Sequence, residues 1–125
     1  MKRILLVEDS NVVKNLTRNI LEAQGFVVDA VKDGTEVLEV LGSQDFDIIL
    51  MDMHMPVMGG LECTQSIRAL KDEKKRNIPI IAFTGNVMGY TQEEYLAQGI
   101  NDVVIKPVDY GDLLRRILSL VSLKS

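Results

Sequence analysis

Apolar residues along this chain gather in five short runs, Ile4–Val7, Phe26–Val31, Ile48–Met51, Ile78–Phe83 and Val103–Ile105. Runs of this length bounded by turn residues read as strands covered on both faces. Between them the spacing of apolar positions becomes helical. Val13, Leu16, Ile20 and Ala23 predict a first helix, capped by Ser10 or Asn11 and ended by Gly25. Thr35–Leu41 predicts a short helix closed by Gly42, and Leu61–Leu70 another, with Leu61, Thr64, Ile67, Ala69 and Leu70 facing inward. Thr91–Gln98 is stopped by Gly99, and Tyr110–Val121 carries a stripe of Leu113, Leu114, Ile117, Leu118 and Val121. The charged segment Lys71–Asn77 reads as a solvated loop.

Strands alternating with helices predict one α/β domain over residues 1–125. Right-handed crossovers then give a flavodoxin-like, doubly wound, five-stranded parallel sheet with helices on both faces. Composition alters this little. With 26% charged and 46% hydrophobic residues the chain can bury a core. A net charge of -4 speaks against a direct nucleic-acid partner. Cys63 is the single cysteine, so an intrachain disulfide is excluded and a reduced, cytoplasmic setting is expected. Lys2 and Arg3 precede only Ile4–Val7, too short for a signal core, and no run reaches membrane-spanning length.

The chemistry concentrates where the strands end. All strands of a parallel sheet open onto one carboxyl edge, where ligands bind. The residues leaving them are Glu8 and Asp9, Asp52, Thr84 and Lys106. Burial is expected to stop at Asp52, before the turn signals Pro56 and Gly59-Gly60. Taken singly, each has a plainer reading as a helix cap, a turn residue or a surface lysine. Together, three carboxylates repel, a cost removed either by protonation or by a cation, and the cation is the better account here. Hard oxygen donors without a thiolate cluster or histidine pair favour Mg²⁺, with Mn²⁺ as the alternative. Lys106 and Thr84 suit a tetrahedral oxyanion, and an Asp so placed is a nucleophile toward phosphorus. A soft copper site built from His54 and its flanking methionines is discounted, because alternation along the strand is expected to separate Met51 from Met53.

The set Glu8-Asp9, Asp52, Met55-Pro56-x-x-Gly59-Gly60, Thr84 and Lys106-Pro107 resembles the receiver domain of two-component response regulators, the CheY-like family, from Lys2 to about Leu120. The tract Met51–Met58 resembles receivers attached to hybrid histidine kinases. The resemblance implies the strand order 2-1-3-4-5, and a signalling module rather than an enzyme acting on other substrates. Asp52 would accept a phosphoryl group from a histidine kinase or histidine phosphotransfer protein. Asp9, Asp52 and the backbone carbonyl of His54 would hold Mg²⁺, with Glu8 acting through water. Lys106 would pair with a phosphoryl oxygen, Met53 and Gly85 would lie beside the phosphoryl group, and the bond to Pro107 would be cis. Thr84 would move toward the phosphoryl group as a switch, and because Val103 offers no large ring to swing inward, the response is expected as displacement of the loop from Gly85 to Tyr90 and of the helix that follows it. A partner or a second copy of the chain would read the face of helix 91–98, the fifth strand and the last helix.

Three positions depart from the family pattern. Gly59 replaces a common Asp, Gly85 a common Ala, and Val103 the aromatic residue usual at the switch position. A haloacid-dehalogenase-type hydrolase is the weaker alternative, since His54 stands where its general-acid Asp belongs. A module that keeps the fold without phosphorylation is opposed by the intact site.

Overall fold

The five apolar runs become β1 (Arg3–Val7), β2 (Val27–Val31), β3 (Ile48–Asp52), β4 (Ile80–Thr84) and β5 (Asp102–Ile105) of one parallel sheet, ordered β2-β1-β3-β4-β5 as expected. This is the arrangement in a computed structural model that describes residues 2–55, 57–85 and 91–122. Pro56 and residues 86–90 of the expected switch loop therefore lie outside the described residues. The connections run through α1 (Asn11–Ala23), α2 (Gly34–Ser43), α3 (Gly60–Arg68), α4 (Glu73–Arg76) and α5 (Gln92–Ala97), and α6 (Tyr110–Ser122) follows β5.

The period of two along each strand sorts the core into two layers. Leu5, Val7, Ile49, Met51, Ile80 and Ala82 pack with Val37, Leu41, Cys63, Ile67 and Tyr95 from α2, α3 and α5. The alternate residues Ile4, Leu6, Ile48, Leu50, Ile81 and Phe83 pack with Leu21, Leu113, Ile117 and Val121 from α1 and α6.

Several boundaries and faces differ from the sequence reading. The buried residues of α1 are Thr17 and Leu21, while Leu16 is 51% exposed and Ala23 is also exposed. The helix is turned because Thr17 Oγ1 shares a 2.9 Å hydrogen bond with Tyr110 Oη, so a polar residue holds an inward position. Leu118 and Ala69 also face solvent. Gly42 lies inside α2 rather than ending it. The segment expected to be a loop contains α4, because the Asp72 side chain caps it by accepting from Lys74 N and Lys75 N. Met51 and Met53 are not separated: residues two apart share a face of a strand, and both lie in the same core layer. They are packing residues there, and that burial replaces the alternation argument against copper.

Candidate functional site

Register assembles the site. Val7 pairs with Met51, so Glu8 and Asp52 follow side by side. Asp52 pairs with Phe83, which Thr84 follows, and Thr84 pairs with Ile105, which Lys106 follows. The ladder extends past the strand ends through Glu8 N to Val31 O at 3.0 Å and Lys106 N to Thr84 O at 2.8 Å.

Asp52, Glu8 and Thr84 are buried, whereas Asp9 and the His54 side chain are exposed. Burial does not stop at Asp52 as expected. Met53 N donates to Phe83 O at 2.9 Å, and Met53 is buried too. Gly60 lies against this corner: a Cβ there would clash with Met53 Cε and stand 2.9 Å from Asp52 O. The following helix can approach the strand end only because residue 60 lacks a side chain. Gly59 is the N-cap of α3 and supplies no capping hydrogen bond, the local consequence of the missing Asp. In the same turn Val57 holds φ at +67°, a left-handed conformation that a β-branched residue rarely adopts.

Carboxylate oxygens of Glu8, Asp9 and Asp52 lie within 4.8 Å of one another. Lys106 Nζ is 3.3 Å from Asp52 Oδ1 and 3.7 Å from Glu8 Oε1. His54 N donates to Asp52 Oδ1 at 3.0 Å, and Ser10 N donates to Glu8 Oε2 at 3.1 Å. Glu8 Oε1 is buried without a hydrogen-bond partner among the described residues. Burial pushes the Glu8 carboxyl above its ordinary range, Asp52 adds to the rise, and Ser10 N–H and Lys106 oppose it. An acidic cluster with an unsatisfied buried oxygen fits a hard divalent cation, which would supply the missing interaction.

Gly85 is exposed, and among the described residues a Cβ there would meet Lys106 side-chain carbons at 3.9 Å, an ordinary van der Waals contact. The Lys106–Pro107 peptide bond is cis. Val103 is partly buried beside the first core layer. Sequence reasoning missed Tyr95, which is buried on α5 with its hydroxyl 3.5 Å from Thr84 Oγ1. A signal existed: the Thr91–Glu94 capping box fixes where α5 starts and puts Tyr95 one position past it.

Comparison with known proteins agrees with this geometry. The family model described as "Response regulator receiver domain" matches residues 4–118. The chain is 42% identical over 120 residues to the CAI-1 autoinducer sensor kinase/phosphatase CqsS of Vibrio cholerae, covering 96% of this chain and 17% of that protein. It is 36% identical over 116 residues to the autoinducer 2 sensor kinase/phosphatase LuxQ of Vibrio vulnificus, covering 93% and 13%. The chain thus spans less than a fifth of these curated relatives. The receiver domain of the Pseudomonas aeruginosa sensor histidine kinase PA1611, solved with magnesium coordinated in its active site cleft, superposes with a TM-score of 0.87 at 36% identity, covering 97% of this chain and 98% of that one. The chemotaxis response regulator CheY4 of Vibrio cholerae superposes with a TM-score of 0.85 at 28% identity, covering 96% and 98%. With the sheet order, the strand-end acidic cluster and its lysine all in place, the chain belongs to the response regulator receiver domain family, the receivers of two-component phosphorelay signalling.

Proposed function

We propose that Asp52 is the phosphoacceptor of this receiver, taking a phosphoryl group from the phosphohistidine of a histidine kinase or phosphotransfer protein. The observation that carries this is the buried Asp52 carboxylate, flanked by Glu8 and Asp9 and 3.3 Å from the Lys106 ammonium. A carboxylate oxygen of Asp52 forms the bond to phosphorus. The phosphorus–nitrogen bond of the donor breaks, and its imidazole nitrogen leaves and takes up a proton. Water attacking phosphorus later releases phosphate and restores the carboxylate.

Each neighbour has a part. Asp9 and Asp52 would hold Mg²⁺, as would the His54 carbonyl, and Glu8 would act through water; magnesium in the cleft of the PA1611 receiver supports this. The ion would neutralise charge on the transferring phosphoryl oxygens. Lys106 holds Asp52 in place before transfer and a phosphoryl oxygen after it. Thr84 offers its hydroxyl from the neighbouring strand end, with Met53 and Gly85 beside the phosphoryl group.

The partner's approach has a surface to match. Val12 is 79% exposed and Val57 is 85% exposed. A mostly apolar groove lined by Val13, Leu16, Pro107, Val108 and Tyr110 borders Lys106. An apolar face of the phosphoryl donor packed in this groove would bring its phosphohistidine beside Lys106. Intact-mass spectrometry after incubation with acetyl phosphate and Mg²⁺ tests the assignment. One phosphoryl addition is expected, absent in Asp52→Asn; normal labelling of that variant moves the acceptor elsewhere, and rapid turnover without a labelled species favours a hydrolase.

A further inference from the structure

Through Thr84 and Tyr95 the site is connected to α5. The alternation of β4 puts Thr84 on the same side as Ile80 and Ala82, whose core layer includes Tyr95 of α5. Tyr95 Oη donates to Thr84 Oγ1 at 3.5 Å, against a usual separation near 2.8 Å for such pairs. Contacts this long are made or lost by small movements of either hydroxyl.

Space lies beside this pair. A cavity of about 440 Å³ between α5, β5 and α6 is lined by Thr84, Tyr95, Val103, Ile105 and Arg116 among others. Val103 leaves the β5 side of it without a ring. The far end of α5 is pinned instead. Arg68 Nε and Nη2 donate to Gly99 O at 3.0 and 2.6 Å, and Nη2 also to Asn101 Oδ1 at 3.0 Å. Asn101 Oδ1 in turn accepts from Ile80 N at 2.9 Å, which fastens that end to β4. The amino end of α5 carries only its own capping box among the contacts described.

We propose that Tyr95 is the residue through which the state of Asp52 reaches α5, in place of any ring on β5. When the Thr84 hydroxyl turns to a phosphoryl oxygen on Asp52, its contact with Tyr95 is exchanged. The phenol ring shifts into the adjoining cavity, and α5 swings about the end held by Arg68. This rests on Asp52 being the acceptor, because only a group added there gives Thr84 a reason to turn. Tyr95 is a positioning residue here and touches no reacting atom.

Two measurements separate this coupling from the acceptor assignment. Tyr95→Phe removes one oxygen and keeps the ring, so labelling of Asp52 by acetyl phosphate is expected within about twofold of the parent. In amide NMR with Mg²⁺ and beryllofluoride, the parent is expected to shift residues 92–101, and Tyr95→Phe to lose about half of that response or more. The ring resonances of isotope-labelled Tyr95 in the unaltered protein give an independent reading and are expected to move with beryllofluoride. An unmoved ring, or a full α5 response in Tyr95→Phe, overturns the proposal while leaving the acceptor intact. Failure of the parent to label overturns both.

Discussion

Lys106 Nζ and Asp52 Oδ1 stand 3.3 Å apart, with Glu8 Oε1 a further contact of the same ammonium at 3.7 Å. The lysine therefore does part of what a divalent ion would do, its single positive charge shared between two of the three carboxylates. At such separations a charge pair is worth about 4 kcal/mol at an effective dielectric near 20, before desolvation is counted.

Removing that charge is expected to separate metal binding from phosphoryl retention. Lys106→Met should bind Mg²⁺ several-fold more tightly, because the ion no longer competes with a resident cation. The same variant should respond poorly to beryllofluoride, having lost the donor to the phosphoryl oxygen. Titration calorimetry with Mg²⁺ and the amide NMR response measure the two effects. Weaker Mg²⁺ binding in Lys106→Met would mean the lysine shapes the site rather than competing within it.

Glu8 sets the pH dependence. Its carboxyl titrates above the ordinary 4.5 in the folded, ion-free protein, chiefly because it is buried. A raised acid favours the protonated form on folding, so ionised Glu8 lowers stability at neutral pH and this loss fades as pH falls through the raised value. Mg²⁺ favours the ionised form. The rise in Tm produced by Mg²⁺ is therefore expected to be largest at neutral pH and to shrink on mild acidification. Glu8→Gln should raise the ion-free Tm at neutral pH and shift the fall in the Mg²⁺ effect to lower pH. An Mg²⁺ increment independent of pH in the unaltered protein contradicts this.

The glycine pair after Asp52 should respond in opposite directions. Gly59 is the uncapped N-cap of α3, and among the described residues the atom nearest a Cβ there is Met53 O at 4.0 Å. Gly59→Ser is expected to add a few tenths of a kcal/mol through a new capping bond. Gly60→Ala pushes a methyl against Met53 and Asp52 O, and a loss of roughly 1–3 kcal/mol is expected, as for other overpacked sites. Urea denaturation reads both, and Gly60→Ala should also slow labelling by displacing Asp52. Equal effects of the two substitutions would contradict the packing seen at Gly60.

What could be read from the chain follows the range of the forces involved. The parallel sheet and the meeting of Glu8, Asp9, Asp52, Thr84 and Lys106 came from period and topology alone, since a parallel sheet has one carboxyl edge, whereas the order of its strands came with the family resemblance. The inward face of α1 was misread because Thr17 is held by Tyr110, 93 residues away. The continuation of burial past Asp52 was missed because it depends on the bond from Met53 N to Phe83 O and on the close approach of Gly60 to the strand end. Helix α4 was missed because four residues carry no period and only the Asp72 cap marks them. Tyr95 escaped notice for a related reason: its hydroxyl matters only once α5 has docked beside β4.

Cys63 provides a reporter that leaves the acidic site untouched. It is fully buried on α3, with its thiol donating weakly to Gly34 O at 3.7 Å. Burial pushes the thiol up to about 12, and the charges of Asp33 and Glu62 push in the same direction. At neutral pH about one molecule in 10⁵ then carries the reactive thiolate, against several per cent for an ordinary cysteine. Both access and ionisation thus require the α2–α3 layer to open. Alkylation by a thiol reagent is expected to be orders of magnitude slower in the native protein than in denaturant, and Mg²⁺ is expected to slow it further by stabilising the fold. Varying the reagent concentration identifies the opening event: if opening is fast and reversible, the rate rises linearly with reagent and falls with added stability. Rapid native alkylation that Mg²⁺ leaves unchanged would show that α3 opens locally, without unfolding of the sheet beneath it.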